Sequence, residues 1–288
     1  MTLEPQERSL AEATTLRIGG WTDRFYEVDT TNQLQDFITH VSDPGRAVVI
    51  GRGSNTLFPE GRFERPVLKL SGEFEEFHFE DEAVRAGAAV FMPELALEAA
   101  QEGYTGLEWA AGVPGSVGGA VAMNAGAYGC RTREVLEEIS VVSYDGSKET
   151  LDPADVEFDY LYCELREEVF IVEATCTLDR DDSDEVVQKT KELLRERRRE
   201  QPVGQHSAGC VFKNVNGHSA GRLIDEAGMK GASRGDVEVS PEHANYFINH
   251  GDGTYRDMVA LIEDVQEAVQ DEFDYKLETE LRIVRENN

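Results

Sequence analysis

The sequence predicts an α+β protein made of two or three small lobes. Three observations carry that expectation. Short β-branched runs bounded by Gly or Pro fill the first half. Helical spacing of apolar residues is concentrated later in the chain. The pattern changes beyond an acidic run at 179–185.

In chain order, "RAVVI" (46–50), "PVLKL" (66–70) and "AVRAGAAV" (83–90) read as strands. "MPELALEAAQEG" (92–103) reads as a helix with Leu95, Leu97, Ala99 and Ala100 on its apolar face and Gly103 as its stop. "ISVVSYD" (139–145) and "EVFIVEATCTL" (168–178) return to strand pattern. In "SDEVVQKTKELLRERRREQP", Ser183 is a candidate N-cap, acids occupy the first turn, arginines the last, and Pro202 lies beyond. This helix is read as the bridge between two domains. A helix at "SAGRLIDEAG" (219–228) and a strand at "ANYFINH" (244–250) follow. After Gly253, Met258, Leu261, Ile262, Val265 and Val269 recur at helical spacing, and "ETELRIV" (278–284) closes the chain as a strand.

Composition narrows the possible partners. The 288 residues hold 57 acidic against 28 basic side chains, a formal net charge of −29. Such a surface opposes nucleic acid and anionic membranes as partners. Lysine is scarce, with 7 Lys to 21 Arg, and an acidic, lysine-poor surface suits a salt-rich cytosol that screens self-repulsion. The N-terminal stretch has neither a basic start nor an apolar run, so no signal peptide is expected and the expected location is cytoplasmic. Cys130, Cys163, Cys176 and Cys210 show no CxxC pair or zinc spacing, so neither a disulfide framework nor a metal site is expected.

Two glycine-rich stretches remain. "AAGVPGSVGGAVAMNAGAYG" (110–129) is long enough to span a membrane. Its glycines, Pro114 and Asn124 predict a poor helix instead, and a backbone that can approach something closely. A branched side chain at Gly115 or Gly118 is then expected to occupy ligand space. "GRGSNT" (51–56) follows a strand, yet has Thr56 where a dinucleotide fingerprint needs its third glycine. Its backbone N–H groups could form a nest for phosphate oxygens, or the loop could be an ordinary turn. Together the two stretches could line an extended ligand bearing a pyrophosphate.

Seven strings occur in order: "TTLRIGG" (14–20), "GRGSNTL" (51–57), 110–129 above, "SAGCVFKN" (207–214), "AGRLIDEAGMKG" (220–231), "VSPEHANYFIN" (239–249) and "LETELR" (277–282). On these the chain resembles the UDP-N-acetylenolpyruvoylglucosamine reductase family of flavoenzymes, in its shorter form without a substrate-capping insertion. The resemblance implies an FAD-binding region of the vanillyl-alcohol oxidase-like (PCMH) type over 1–182, in two lobes with a boundary near 65. It implies a linker helix and an α+β substrate domain over 183–288. It also implies non-covalent FAD, NADPH as hydride donor, and reduction of UDP-N-acetylglucosamine enolpyruvate to UDP-N-acetylmuramate for peptidoglycan.

Residue by residue, the resemblance places Gly51, Gly53, Ser54, Asn55 and Thr56 at the cofactor from the first loop. From the second it places Gly112, Pro114, Gly115, Ser116, Gly118, Gly119, Asn124 and Gly126 there. Cys210 takes the proton-donor position, Glu280 the assisting carboxylate, and Tyr160, Lys213 and Asn214 positions near substrate. A thiol can donate a proton where a free hydroxyl is a far weaker acid. Read on its own, Cys210 could equally be a small packing residue. One position departs: the family usually carries Tyr-Arg where this chain has Tyr160-Leu161. The resemblance implies that the missing arginine meets the charge of an enolate, and Lys213 and Arg166 are the candidate substitutes. Leu161 leaves open another FAD-dependent oxidoreductase of the same fold, or a flavin-binding homologue with impaired catalysis.

The charge density alone makes a prediction. Thermal stability and activity rise with added KCl, up to a point, as repulsion is screened. An unfolding midpoint that falls steadily from low to molar KCl contradicts it.

Overall fold

A computed structural model of the protein describes residues 3–286. The chain packs as two compact units, each assembled from several segments. The first takes Arg24–Arg52 and Arg65–Glu196, with the N-terminal residues through Gln6. The second takes Glu7–Asp23, Gly53–Glu64 and the chain from Arg197 onward.

In the first unit, residues Phe25–Val28 of the strand Trp21–Val28 pair in parallel with Val67–Leu70, which pairs in parallel with Val48–Ile50. Parallel neighbours need a crossover, and the helix Thr31–His40 supplies one. The Thr30 hydroxyl caps it by accepting from the Gln33 N–H, and Phe37 packs edge-on against Tyr26 at 5.1 Å. Neither element was expected from sequence. Asp23, Arg24 and Glu27 dilute the strand's apolar content, although Thr22, Phe25, Tyr26 and Val28 are buried.

A second, antiparallel sheet runs Lys148–Leu151, Leu136–Ser143, Val169–Thr177, Ala83–Gly87, Phe77–Glu80. The expected strand at 83–90 stops at Gly87 because the Val90 N–H closes a turn onto the Gly87 carbonyl. Helix Met92–Gln101 buries Leu95, Ala96, Ala99 and Ala100, with Leu97 only half-buried, and Gly103 follows at φ +74°.

The stretch 110–129 is more ordered than its glycines suggest. It continues a 3-10 turn, Glu108–Gly112, and forms a short helix, Val117–Ala122, whose first turn is capped by Ser116 Oγ accepting from the Gly119 N–H. The helix holds because Val117, Ala120 and Val121 are buried and its entry is bonded to neighbouring backbone. Met92 N–H donates to Gly115 O at 3.0 Å, Val117 N–H to Val90 O at 2.9 Å, and Gly118 N–H to Ala88 O at 2.8 Å. A Cβ at Gly118 would stand 2.8 Å from Ala88 Cβ, so the expectation that it would enter ligand space is corrected: this glycine serves close packing of the chain on itself.

The helix Ser183–Glu200 forms as expected, but its cap is Asp182, whose carboxylate accepts from the N–H groups of Asp184 and Glu185. Asp caps as well as Ser does, and here it sits one residue earlier. The change of unit falls inside this helix, at Glu196–Arg197.

In the second unit, helices Ala220–Glu226 and Tyr255–Phe273 pack with a small antiparallel sheet of Ser233–Arg234, Val237–Val239 and Phe247–Asn249. Thr254 and Asp257 form a capping box at the start of the long helix. All five residues expected on its inner face are buried. The closing strand narrows to Arg282–Ile283, which pairs in parallel with Thr56–Leu57. Among the described residues no helix is long and apolar enough to cross a membrane.

Gly118→Val is expected to lower unfolding free energy by about 1–3 kcal/mol even without flavin, because the side chain meets packed backbone. A Cβ at Gly119 meets only Ser116 Oγ, at 3.4 Å. Gly119→Ala is therefore expected to leave stability almost unchanged in urea unfolding.

Candidate active site

In the first unit the glycine-rich segment is anchored at both ends. At its head, Ser116 lies against Gly51, where a Cβ would come 2.2 Å from Ser116 Oγ, and Phe91 bridges to Ser116 in antiparallel register. Gly115, Ser116, Gly118 and Gly119 therefore stand together, with Pro114 exposed beside them and Gly112 buried. At its tail, Asn124 is buried, with its side chain fully engaged. Its Nδ2 donates to Asp159 O at 3.0 Å and its Oδ1 accepts from the Arg133 N–H at 3.1 Å. Gly126 is exposed and closely backed by Cys130 O, 2.5 Å from where a Cβ would be.

The bond from Asn124 pins a tight hairpin, in which Phe158–Asp159 pairs with Tyr162–Cys163 and the chain reverses at Tyr160 and Leu161. Leu161 adopts φ +55°, a left-handed conformation uncommon for a residue with a side chain. Three arginines stand over rings of this hairpin: Arg131 over Tyr160 at 5.5 Å, Arg133 over Phe158 at 5.6 Å, and Arg166 over Tyr162 at 5.4 Å. Arg131 was not singled out in the sequence. No motif marks it, and its contact comes from strand Cys130–Arg131 folding back on Gly126–Ala127.

The loop 51–56 is bound at its edges and free at its centre. Gly53 turns at φ +64°, and its carbonyl accepts from the Thr15 N–H at 3.1 Å. Thr56 is buried in its pairing with Arg282. Among the described residues, the backbone N–H groups of Arg52, Gly53, Ser54 and Asn55 reach no protein acceptor. Asn55 Nδ2 donates to Glu280 O at 3.1 Å, while Asn55 Oδ1 is buried with no partner. Free donors beside an orphaned acceptor fit a ligand that offers both phosphate oxygens and hydroxyls, as a dinucleotide does.

In the second unit, residues Cys210–Lys213 run between two other segments. On one side Cys210 bridges to Tyr246 and Val211 N–H donates to Asn245 O at 2.8 Å. On the other, Glu280 N–H donates to Val211 O at 2.8 Å and Lys213 N–H to Glu278 O at 2.9 Å. Asn245 locks the arrangement by a pair of side-chain bonds to Phe212, accepting at 2.9 Å and donating at 2.8 Å. It too was not singled out in the sequence. Asn214 uses Oδ1 to accept from the Ala220 N–H, which orients the helix Ala220–Glu226.

This register sets Cys210 and Glu280 within each other's field. Burial raises Glu280 to about 7, and the nearby Lys213 opposes the rise. Burial also lifts the Cys210 thiol to about 12. The Glu280 charge adds to that, while Arg197 and the Asn245 side chain oppose it. Cys210 is therefore a neutral thiol throughout the physiological range, beside a carboxyl that is partly protonated near neutrality. His243 is pushed down, first by burial, and its Nδ1 accepts from the Asn245 N–H. Among the described residues no group of three or more His, Cys, Asp or Glu could hold a metal ion.

Residues 201–284 match the profile of the UDP-N-acetylenolpyruvoylglucosamine reductase C-terminal domain, and residues 22–152 match an FAD binding domain. The chain is 34% identical over 288 residues to UDP-N-acetylenolpyruvoylglucosamine reductase of Anoxybacillus flavithermus, covering 98% of this chain and 94% of that protein. It is 36% identical over 276 residues to UDP-N-acetylenolpyruvoylglucosamine reductase 2 of Symbiobacterium thermophilum, covering 95% and 90%. The chain belongs to the UDP-N-acetylenolpyruvoylglucosamine reductase family. The crystal structure of the enzyme from Thermus caldophilus superposes with a TM-score of 0.87 at 33% identity, covering 98% of this chain and all of that one. The fold is thus the α+β flavoprotein architecture of that family, an FAD-binding region followed by the family's C-terminal domain, and the protein is an FAD-dependent oxidoreductase.

The raised Glu280 makes a stability prediction. Its carboxyl favours the folded state fully below the ordinary value of 4.5, and that contribution is lost as pH rises through about 7. Glu280→Gln keeps the neutral shape at every pH. It is expected to match wild type in acid and to gain on the order of 1–3 kcal/mol in chemical unfolding above neutrality. Equal stability of the two at pH 8 contradicts the burial account.

Proposed function

We propose that the protein reduces UDP-N-acetylglucosamine enolpyruvate to UDP-N-acetylmuramate, a step in cytoplasmic synthesis of peptidoglycan precursors, with NADPH as hydride donor. The observation that carries this reading is the neutral, half-buried thiol of Cys210 set beside Glu280 in the family's C-terminal domain. In this reading the FAD-binding role falls to residues 1–182, with two lobes meeting near 65, and the substrate role to 183–288. That is a division of roles, distinct from the division of packing described above.

FAD, held without a covalent bond, supplies the two-electron relay between NADPH and the enolpyruvyl double bond. Arg52, Gly53, Ser54 and Asn55 would offer it free backbone donors, Gly51 would seat the start of that loop against Ser116, and Gly112–Gly119 would offer a surface bare of large side chains. Thr56, Asn124 and Gly126 hold those segments in place. Lys213, Asn214 and Tyr160 bind the sugar nucleotide.

Once the terminal carbon has accepted hydride, the carbon beside the ether oxygen carries negative charge and must gain a proton. Cys210 holds that proton at Sγ. A thiol near 12 gives it up only to a strongly basic centre, which such a carbon is. The Glu280 carboxylate opposes formation of a thiolate, so the step is easier while Glu280 is protonated. The enolate also needs a cation. Of the sequence's two nominees, Lys213 lies 3.9 Å from the Glu278 carboxylate and acts electrostatically on Glu280, and Arg166 rests over Tyr162. Arg131, which stands over Tyr160 beside Leu161, joins them as a third.

Cys210→Ala is expected to leave flavin reduction by NADPH nearly normal and to slow reoxidation by the enolpyruvyl substrate about 10²–10⁴-fold, with Cys210→Ser recovering much of the loss. Reoxidation by wild type is expected to fall as pH rises through about 7. Stopped-flow flavin absorbance separates the two half-reactions. Unchanged reoxidation by Cys210→Ala makes Cys210 a packing residue and removes the mechanism.

A further inference from the structure

Arg52 stands between two glycines of the loop 51–56, and its surroundings do not neutralise it. It is exposed, its guanidinium lies 4.7 Å from the centroid of the Phe91 ring, and no carboxylate among the described residues pairs with it. The ring beneath it is itself fixed, since Phe91 bridges to Ser116, the same residue that Gly51 touches. A guanidinium is weakly hydrated and rests readily on an aromatic face, which preserves its charge while restricting its position.

The backbone on either side of that side chain is short of acceptors. The N–H groups of Arg52, Gly53, Ser54 and Asn55 reach none among the described residues. These are donors for a phosphate group, but neutral ones. Bringing a pyrophosphate dianion to a chain of formal charge −29 sets it against long-range repulsion that amide dipoles only partly offset. Among the side chains of residues 51–56, only Arg52 is charged.

We propose that Arg52 is the side-chain cation that holds the FAD pyrophosphate on the loop 51–56. The proposal rests on FAD binding, which the family supports, and does not depend on the substrate or on Cys210. In it, the backbone donors fix where the phosphates sit. Arg52 supplies the formal positive charge, and Phe91 keeps the guanidinium from being drawn away by the many surface carboxylates.

The test is flavin release from the holoenzyme on dilution, followed by the return of free-flavin fluorescence at a series of KCl concentrations. Three variants matter: Arg52→Met, which keeps an apolar side chain over Phe91, Arg52→Lys, which keeps the charge, and Arg52→Glu, which reverses it. A hydrogen bond to a charged group contributes about 1.5–3 kcal/mol, which converts to roughly 10–150-fold faster release by Arg52→Met at low KCl. Arg52→Lys is expected to fall between wild type and Arg52→Met, and Arg52→Glu to exceed both. The ratio of Arg52→Met to wild type is expected to shrink as KCl rises, because only the charge has been removed. An Arg52→Met variant that unfolds like wild type yet retains no flavin on purification also supports the proposal. Release from Arg52→Met at the wild-type rate in low KCl overturns it, as does a ratio that does not change with KCl. Wild-type protein that carries no flavin at all would overturn the family reading instead.

Discussion

Backbone bonds between residues 115–118 and 88–92 are the contact on which much of the first unit depends. Met92, Val117 and Gly118 donate across this seam at 2.8–3.0 Å, and no side chain at 118 could fit between the two runs. The seam starts the helix Met92–Gln101 on one side and the helix Val117–Ala122 on the other. It also places Ser116 against Gly51 and Phe91, and so determines where the loop 51–56 leaves this unit. Glycine's conformational freedom is secondary here. Its small size is what the seam requires.

The second unit solves a different problem, that of keeping a carboxyl and a thiol half-buried side by side in a chain of charge −29. The backbone from Val211 to the Lys213 N–H is bonded to Asn245 on one side and to Glu278, Glu280 and Leu281 on the other, which holds these segments in register. Burial then moves both groups toward their neutral forms. Lys213 and Arg197 temper the effect without removing it. The thiol is therefore neutral at neutral pH, while the carboxyl is only partly protonated there.

How much of this was legible beforehand depends on how far apart the partners lie in the chain. The buried stripe of Tyr255–Phe273 could be read directly, because its five core residues recur within one helix. The strands Val48–Ile50 and Val67–Leu70 were also plain, as compact apolar runs bounded by Gly or Pro. Trp21–Val28 was missed because its charged residues sit at half-buried positions that periodicity alone treats as solvent. The cap at Asp182 was misplaced by one residue, since Ser183 offers the same chemistry. At the site, Cys210 and Glu280 were found only through the resemblance of the strings around them. Asn245 and Arg131 were not found, for each acts across a fold-dependent contact with a residue more than two dozen positions away. Such contacts leave no local periodicity to detect.

The pairing of Arg282–Ile283 with Thr56–Leu57, and the bond from Asn55 to Glu280 across a separation of 225 residues, bear on how the protein is made. A chain emerging from the ribosome exposes the loop 51–56 long before its partner strand. Until residues 277–283 emerge, Thr56 has no ladder partner and the core holding Leu57 lacks Leu277 and Leu281. These contacts of the second unit join segments far apart in sequence, the kind that slow folding most. The loop with the free backbone donors gains the support of Arg282–Ile283 only once that strand has emerged. A chain truncated even a few residues before Arg282 loses that support, however complete the first unit already is.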